Sequence, residues 1–326
     1  MPLVLDEATV RSLLPMDDLI ATMGQALKEF SAGRVTQPLR TVLEVGEAKS
    51  FFGVMPAYVP SQQALGTKLV TVFGSNLARG LPSHLATILL LDAETGALVA
   101  IMDGRYITEA RTAAVSAVSV QHLARRDAAV MAILGAGVQA RSHLEAIARA
   151  RPLREVRIWS RTPASADRFV AEMQPHTAAT LHRSRSAQAA VLDADIIVLV
   201  TASPEPVVFS SWVQDGAHIC AVGACRPTQR EMDPILVARA DLYVDSRAGG
   251  LAEAGDIVLA IREGLIDAAH IRGELGEVVS GTVPGRRDED RVTIFKSLGM
   301  AVEDVVAAQL AYDKARQAGL GTEIRC

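Results

Sequence analysis

Cysteine is scarce in this 326-residue chain. Three residues, Cys220, Cys225 and Cys326, cannot build a disulfide framework, and no Cys-x-x-Cys or paired Cys/His spacing points to zinc, so no metal site is expected. Long apolar runs are missing too. The longest charge-free stretch, Ser50–Thr67, has 18 residues but is interrupted by Pro56, Pro60, Gln62 and Gln63. No segment offers the roughly 20 predominantly apolar residues that cross a bilayer, so no membrane partner is expected. The opening Met-Pro-Leu-Val-Leu-Asp-Glu carries acids and no basic residues, unlike a secretory signal. A net charge of −4 without a long basic run argues against nucleic acid as the main partner. The seven histidines (His84, His122, His143, His176, His182, His218 and His270) are scattered and no Gly-x-Ser-x-Gly elbow occurs, so no hydrolytic triad is indicated. With 49% hydrophobic and 21% charged residues the chain is not a disordered one, and a cytoplasmic globular protein is expected.

Aromatics are only 4%, while Ala, Val and Leu are abundant, which suits an α/β core of aliphatic strands and Ala-rich helices. At about 150 residues per domain, the length favours two domains. From about Asp127 onward, apolar runs alternate with amphipathic stretches of helical length. The runs are Ala129–Leu134, Val156–Trp159, Ile196–Thr201, His218–Val222 and Leu242–Val244, and the helical stretches include Ala140–Arg149 and Pro163–Met173. Such β-branched runs suit strands buried on both faces, and their alternation with helices predicts a doubly wound parallel sheet over residues 126–299. Residues 1–125 predict an α+β domain: a helix at Asp17–Phe30, strands at Thr41–Glu44, Lys68–Phe73 and Thr87–Leu91, and a hairpin within Ala86–Met102 turning at Ala93–Gly96. Glu109–Leu123 reads as the helix leading into the second domain. Gly299–Gln317, with Val302, Val305, Val306 and Leu310 at helical spacing, predicts a helix that returns to the first domain (residues 300–326). Pro284–Arg291 reads as an exposed loop.

Gly135-Ala136-Gly137-Val138-Gln139-Ala140 has the form G-x-G-x-x-A. Alone the hexamer is weak, but it directly follows a predicted strand and opens a predicted helix, as in a Rossmann fold. There Gly135 makes the tight turn, Gly137 lets backbone approach a pyrophosphate, and Ala140 permits close helix–strand packing. The cofactor-binding candidates of this turn are Gly135, Ala136, Gly137, Val138 and Gln139. The second strand ends in Trp159-Ser160-Arg161-Thr162, with no acid to accept from a ribose 2′-hydroxyl. A guanidinium beside two hydroxyls suits a 2′-phosphate, so Ser160, Arg161 and Thr162 predict NADPH, with NADH possible; a solvated surface arginine is the alternative.

The first domain carries cations in apolar surroundings. Lys68 sits in a strand pattern, Arg40 precedes another strand, and Arg111 lies on a helix of small apolar residues. Buried cations are rare unless paired. Two readings stand side by side: a grip for a small anionic α-amino or α-imino acid, or structural ion pairs with acids such as Glu44, Asp92 or Asp103. His84, on the approach to the hairpin, either lines the pocket or is an ordinary loop histidine. Cys225 follows a strand's C-terminal end, where ligands sit in such sheets, and without an activating base it reads as pocket-lining rather than nucleophilic.

Several segments, in order, resemble the ornithine cyclodeaminase/mu-crystallin family: Gly53-Val-Met-Pro-Ala57, Thr67-Lys-Leu-Val-Thr71, Met102-Asp-Gly104 with Arg111-Thr-Ala-Ala-Val-Ser116, Gly135-Ala-Gly-Val-Gln139, Glu155-Val-Arg-Ile-Trp159, Ala221-Val-Gly-Ala224, Glu274-Leu-Gly-Glu277 and Phe295–Asp304. The resemblance implies a homodimer, with a substrate-binding and dimerisation domain and a Rossmann domain for the cofactor. It implies that Arg40, Lys68 and Arg111 grip the substrate carboxylate, with Lys68 also polarising or protonating the imine. It further implies that Thr112 contacts phosphate, and that Thr201, Ala202, Ser203, Val222, Lys296 and Ser297 surround the nicotinamide half. The chain departs from the cyclodeaminase branch at two positions: Gly53 stands where that branch has Glu, and Cys225 where it has a basic Asp. Cyclising a diamino acid needs a group that takes protons from its amines. Reducing an imine needs less, chiefly orientation of a carboxylate-bearing C=N group. The expectation is therefore NADPH-preferring reduction of cyclic ketimines, Δ1-piperideine-2-carboxylate or Δ1-pyrroline-2-carboxylate, to L-pipecolate or L-proline. The alternatives are an alanine-type amino-acid dehydrogenase, an ornithine cyclodeaminase, or a thyroid-hormone-binding or crystallin-like protein.

Overall fold

A computed structural model of the protein describes residues 1–46 and 50–325, so Cys326 lies outside the described residues. The chain forms two units, Met1–Arg111 with Met300–Cys326, and Thr112–Gly299.

The first unit is built on a seven-stranded sheet. Strand β1 (Leu3–Leu5) leads into helices α1 (Glu7–Leu13) and α2 (Met16–Ser31). An antiparallel meander comes next: β2 (Thr41–Val45), β3 (Ser50–Val59), β4 (Ala64–Val72), β5 (His84–Asp92) and β6 (Leu98–Asp103). β1 pairs parallel to β6, and a closing strand, Thr322–Glu323, pairs antiparallel to β1. Asp92 organises the expected hairpin turn: its carboxylate accepts from the backbone of Glu94 and Thr95, and Gly96 takes a φ of 72°. β3 is not apparent from the sequence because Gly53 and Pro56 interrupt its apolar run. Pro56 lies beyond the end of β2, whose pairing stops at Val54, an edge position that tolerates a residue without N–H.

The two-residue alternation of β4 brings a charge into the core. Ala64, Gly66, Lys68 and Val70 are buried, so a lysine occupies the core-facing row. The C-terminal helix (Ala301–Ala318) packs on β3, β4 and β5. A Cβ added at Gly66 would lie 2.6 Å from the Leu89 carbonyl oxygen and 3.4 Å from Val305 Cγ2, so only glycine permits this approach. The helix buries Ala301, Val302, Val305, Ala308 and Ala311, and also two acids of its first turn, Glu303 and Asp304. Acids there complement the positive end of the helix dipole, and Gln37 Oε1 accepts the Val302 N–H at 2.8 Å.

Helix α3 (Arg105–Leu123) belongs to both units. The sequence suggests a boundary at residue 125, whereas the units divide at Arg111/Thr112. The reason is packing. Val120 joins the core of the second unit with Ile133, Leu144 and Ile158, while Ser116 and Ser119 bond to histidines of that unit.

The second unit holds an eight-stranded, all-parallel sheet: β7 (Val130–Leu134), β8 (Glu155–Trp159), β9 (Thr180–Arg183), β10 (Ile196–Leu199), β11 (His218–Ala221), β12 (Asp241–Val244), β13 (Ile271–Glu274) and β14 (Thr293–Lys296). The order is β13-β12-β14-β11-β10-β7-β8-β9, so the strand order reverses between β7 and β10. Helices α4 (Val138–Ala150) and α5 (Pro163–Met173) come after β7 and β8. β9, β13 and β14 are not evident from the sequence because each has four residues and includes charged ones, such as Arg183, Arg272 and Lys296. The Pro284–Arg291 loop is mostly exposed as expected, but Arg286 anchors it, donating to Leu123 O, Ala217 O and Thr293 Oγ1 at 2.7, 3.2 and 3.0 Å. Among the described residues, no helix is long and apolar enough to cross a membrane.

Two histidines are buried in this unit. His143 Nε2 lies 2.9 Å from Ser116 Oγ, and His218 lies 3.0 Å from Ser119 Oγ through Nε2 and 2.9 Å from Thr293 Oγ1 through Nδ1. Burial pushes both rings down from 6.5, to about 4 for His143 and about 3 for His218. The folded chain therefore keeps them neutral while the unfolded chain protonates them, so the unfolded state binds more protons below pH 6.5. Their contribution is full above pH 6.5 and falls as pH drops towards 4. We expect a loss of roughly 3 kcal/mol between pH 7.5 and 5.5 from these two groups, read as a falling urea midpoint, with part of the slope removed in His143→Gln. A midpoint that stays flat over this range contradicts the assignment.

Candidate functional site

The two units each present one group of sequence-selected residues. In the first, Lys68 is only 2% exposed, and its Nζ lies 2.5 Å from Asp304 Oδ2. Arg111, also buried, donates through Nε to Asp304 Oδ1 at 2.9 Å and through Nη1 to Glu303 Oε2 at 2.6 Å. Both cations are thus ion-paired, but with Glu303 and Asp304 from the C-terminal helix rather than with Glu44, Asp92 or Asp103. Burial lowers the Lys68 ammonium to about 8 against the attraction of Asp304, with the charges of Arg111 and Arg40 adding to the depression. Burial alone would raise Asp304, yet Arg111 and Lys68 hold it below its ordinary value. Arg40, half-buried, directly precedes β2.

His84 is the first residue of β5, paired with Val72, not a loop residue. Burial, reinforced by Lys68 and Arg111, pushes its ring down to about 4, so it stands neutral beside the cluster at pH 7. A neutral imidazole there offers a donor and an acceptor without adding charge.

The second unit gathers the cofactor candidates at the C-terminal ends of its strands. Gly135 has φ 110°, and a Cβ on it would lie 2.5 Å from the Val200 carbonyl oxygen, at the reversal point between β7 and β10. No side chain is possible there. Gly137 is the N-cap of α4, with no side-chain cap and nothing within 4 Å of where a Cβ would stand. The Gly135–Gly137 turn therefore leaves open space at an uncapped helix N-terminus, where phosphate oxygens are received by free N–H groups. Ala136 in the turn is half-buried and Val138 is exposed, while Ala140 is fully buried, as close packing of α4 requires. Gln139 Oε1 and Ser297 Oγ are buried without a hydrogen-bond partner among the described residues, and a polar ligand would supply one. These features fit a dinucleotide.

At the end of β8, Ser160 is half-buried while Arg161 and Thr162 are exposed, the Thr162 N–H lying 3.4 Å from Ser160 Oγ. Thr112 is buried on α3, and Val222 is buried just after β11. Thr201 donates to Glu231, and Ser203 Oγ donates to Glu205 O at 2.8 Å; Ala202 between them is exposed. Cys225 is exposed, with Sγ 3.3 Å from Val222 O. Lys296 is fully buried, 3.2 Å from Asp256 Oδ2.

Four functional candidates do not stand out in the sequence: Glu303, Asp304, Glu231 and Asp256. The first two carry a signal, since adjacent acids interrupt the otherwise apolar run Ala301–Ala308, which is buried all round. Glu231 and Asp256 lie in segments whose sequence is ordinary. Among the described residues no group of three or more His, Cys, Asp or Glu could hold a metal ion.

Together these observations define a Rossmann-type α/β protein with a second, α+β unit organised around buried cations. The chain belongs to the ornithine cyclodeaminase/mu-crystallin family, whose model matches residues 1–319. It is 47% identical over 298 residues to the ketimine reductase mu-crystallin of Rattus norvegicus, covering 90% of this chain and 91% of that protein. It superposes with a TM-score of 0.97 and 39% identity on the Thermococcus litoralis Δ1-pyrroline-2-carboxylate reductase in complex with NADH and L-proline, covering 99% of this chain and 100% of that one. An archaeal alanine dehydrogenase dimer with bound NAD is similar at a TM-score of 0.94 and 31% identity, covering 99% of each chain.

Removing one member of the buried cluster leaves a cation uncompensated. Asp304→Asn is expected to destabilise the protein by about 3–5 kcal/mol, measured by urea denaturation. A change under about 1 kcal/mol, the range of exposed pairs, would mean that the cluster is solvated in solution.

Proposed function

We propose that the protein reduces cyclic ketimines, taking Δ1-piperideine-2-carboxylate or Δ1-pyrroline-2-carboxylate to L-pipecolate or L-proline with NADPH as the preferred cofactor. The observation that carries this reading is the buried cluster in which Asp304 and Glu303 hold Lys68 and Arg111, two cations in one core of the kind that grips a substrate carboxylate. The ketimine and pyrroline-2-carboxylate reductase relatives support the same chemistry. Position 53 argues against cyclodeamination: Gly53 stands where that branch has Glu, so no carboxylate is offered there, and any side chain would press on Val70 Cγ1, 3.0 Å from where its Cβ would stand.

The nicotinamide cofactor, when bound, supplies a hydride to the imine carbon. Arg40 and Arg111 hold the carboxylate and so orient the C=N group. Lys68 would give its ammonium proton to the imine nitrogen, balancing the hydride that the cofactor would supply to the carbon. Lys68 is left as a neutral amine and regains a proton from water. With its pKa near 8, it is charged at pH 7 yet a better acid than an ordinary lysine. Asp304 keeps the ammonium in place. Gly135, Gly137 and the N-terminus of α4 hold the pyrophosphate, and Ser160, Arg161 and Thr162 hold the 2′-phosphate. The absence of an acid in that turn supports NADPH over NADH.

The first unit also offers a surface for a second copy of the chain. β2 is the edge strand of the sheet and is exposed along its whole length, with Leu39, Val42, Leu43 and Val45 all substantially exposed. An apolar edge with unpaired backbone groups is unfavourable in a monomer, and a homodimer covering it removes that cost.

The test is NADPH oxidation, measured by absorbance, with both imines and with NADH in parallel. Turnover favouring NADPH is expected, and Lys68→Met should lower kcat by about a thousandfold while leaving NADPH affinity within about twofold. Turnover with ammonia and pyruvate but with neither imine would favour an alanine-type dehydrogenase. Sedimentation should show a dimer that Leu43→Glu dissociates; a wild-type monomer would remove the dimer proposal.

A further inference from the structure

Glu231 lies on the loop after β11 and is fully buried. Its carboxylate accepts four hydrogen bonds. Oε1 receives the Thr201 N–H and the Thr201 hydroxyl, both at 2.7 Å, and Oε2 receives the N–H groups of Gly223 at 2.7 Å and Ala224 at 3.2 Å. Thr201 comes just after β10, while Gly223 and Ala224 come just after β11. One side chain therefore ties together the C-terminal ends of two adjacent strands. The approach is so close that a Cβ at Gly223 would stand 2.1 Å from the Thr201 carbonyl oxygen and 2.6 Å from Glu231 Oε1.

Glu231 is itself held in place. Asp256 Oδ1 accepts the N–H groups of Glu231 and Met232 at 2.8 and 3.1 Å, and Asp256 Oδ2 pairs with Lys296 at the end of β14. The neighbouring strand ends β10, β11 and β14 are thus joined through two carboxylates and one ammonium. No step of the imine reduction uses Glu231.

We infer that Glu231 is a positioning residue: it clamps the Thr201–Ser203 and Val222–Cys225 segments together, so that they form a fixed wall for the nicotinamide half of the cofactor. The inference rests on the proposal that those segments face the nicotinamide. Three backbone N–H groups bond this carboxylate, the Gly223 N–H sharing itself with Leu199 O at 3.1 Å, and a buried N–H that loses its acceptor is costly. Every donor prefers the ionised form. Burial nevertheless raises the carboxyl to about 7, with Lys296 opposing and Asp256 raising it further; Cys225 is the other titratable group facing Lys296. Protonation places an O–H among N–H donors and loosens the clamp, so cofactor affinity should weaken as pH falls through about 7.

The experiment measures NADPH affinity by fluorescence from pH 6 to 8.5 in the wild type, Glu231→Gln and Thr201→Val, and then imine turnover. In Glu231→Gln the amide NH₂ opposes the N–H groups of one loop. Its Kd for NADPH should rise about tenfold and lose its pH dependence, while KM for the imine changes less than about twofold. Thr201→Val removes one hydroxyl donor and should weaken NADPH by about threefold, with the pH dependence retained. A folded Glu231→Gln protein with wild-type affinity and pH dependence overturns the inference. If that variant does not fold, unchanged NADPH affinity in Thr201→Val overturns it equally. Because affinity is read without imine, a wild type that binds NADPH but reduces neither imine would sink the ketimine assignment and leave the clamp to be judged on its own data.

Discussion

The contact between Lys68 and Asp304 governs the architecture of the first unit. A lysine on the core-facing row of a central strand loses its hydration, at an effective cost of several kcal/mol, and only a charge brought into the same core offsets it. That charge comes from a helix more than two hundred residues later in the sequence. The chain must therefore return to its first unit after completing the second, which is why the unit is discontinuous. Gly66 gives the helix room, the small residues Ala301, Ala307, Ala308 and Ala311 let it sit close, and Gln37 caps its first turn. Arg111 joins the same two acids, so the cluster is coupled through charge rather than assembled from independent pairs.

Buried charge is used differently in the second unit. There two acids, Glu231 and Asp256, lie near the C-terminal ends of β10, β11 and β14, each bonded mainly to backbone N–H groups. In the first unit, carboxylates hold buried cations of the kind that recognise an anion. In the second, carboxylates set the course of loops and leave the Gly135–Gly137 turn free of side chains. The two arrangements meet separate demands: one suits recognition of a substrate's charge, the other shapes a surface for a large cofactor.

Much of this is legible in the sequence. The parallel sheet is, because strands buried on both faces must be apolar and the helices between them amphipathic; Val130–Leu134, Ile196–Leu199 and Pro163–Met173 match their sequence patterns closely. Lys68 and Arg111 stand out because charge in an apolar pattern demands a partner. The partners do not, because pairing across long sequence separation has no local periodicity, and acids in a helix's first turn have an ordinary explanation in the helix dipole. Glu231 and Asp256 are hidden for a different reason. Their bonds go mainly to backbone, and almost any residue type at position 201 or 224 would offer the same N–H. Short strands with charged ends, such as Thr293–Lys296, are concealed because tertiary position and not propensity makes them strands.

Burial beside Arg111 and Arg40 turns Lys68 into an acid of near-neutral strength while Asp304 keeps it in place, and this can be measured directly. The chain has five lysines, so the titration of each can be tracked by NMR in protein carrying 13C-labelled lysine, with Lys68→Arg to assign the signal. Lys68 should titrate with a midpoint at about 8, well below the ordinary 10.5. A midpoint at or above 10.5 would contradict this, because Lys68 would then be an ordinary paired cation with no capacity to protonate an imine near neutral pH.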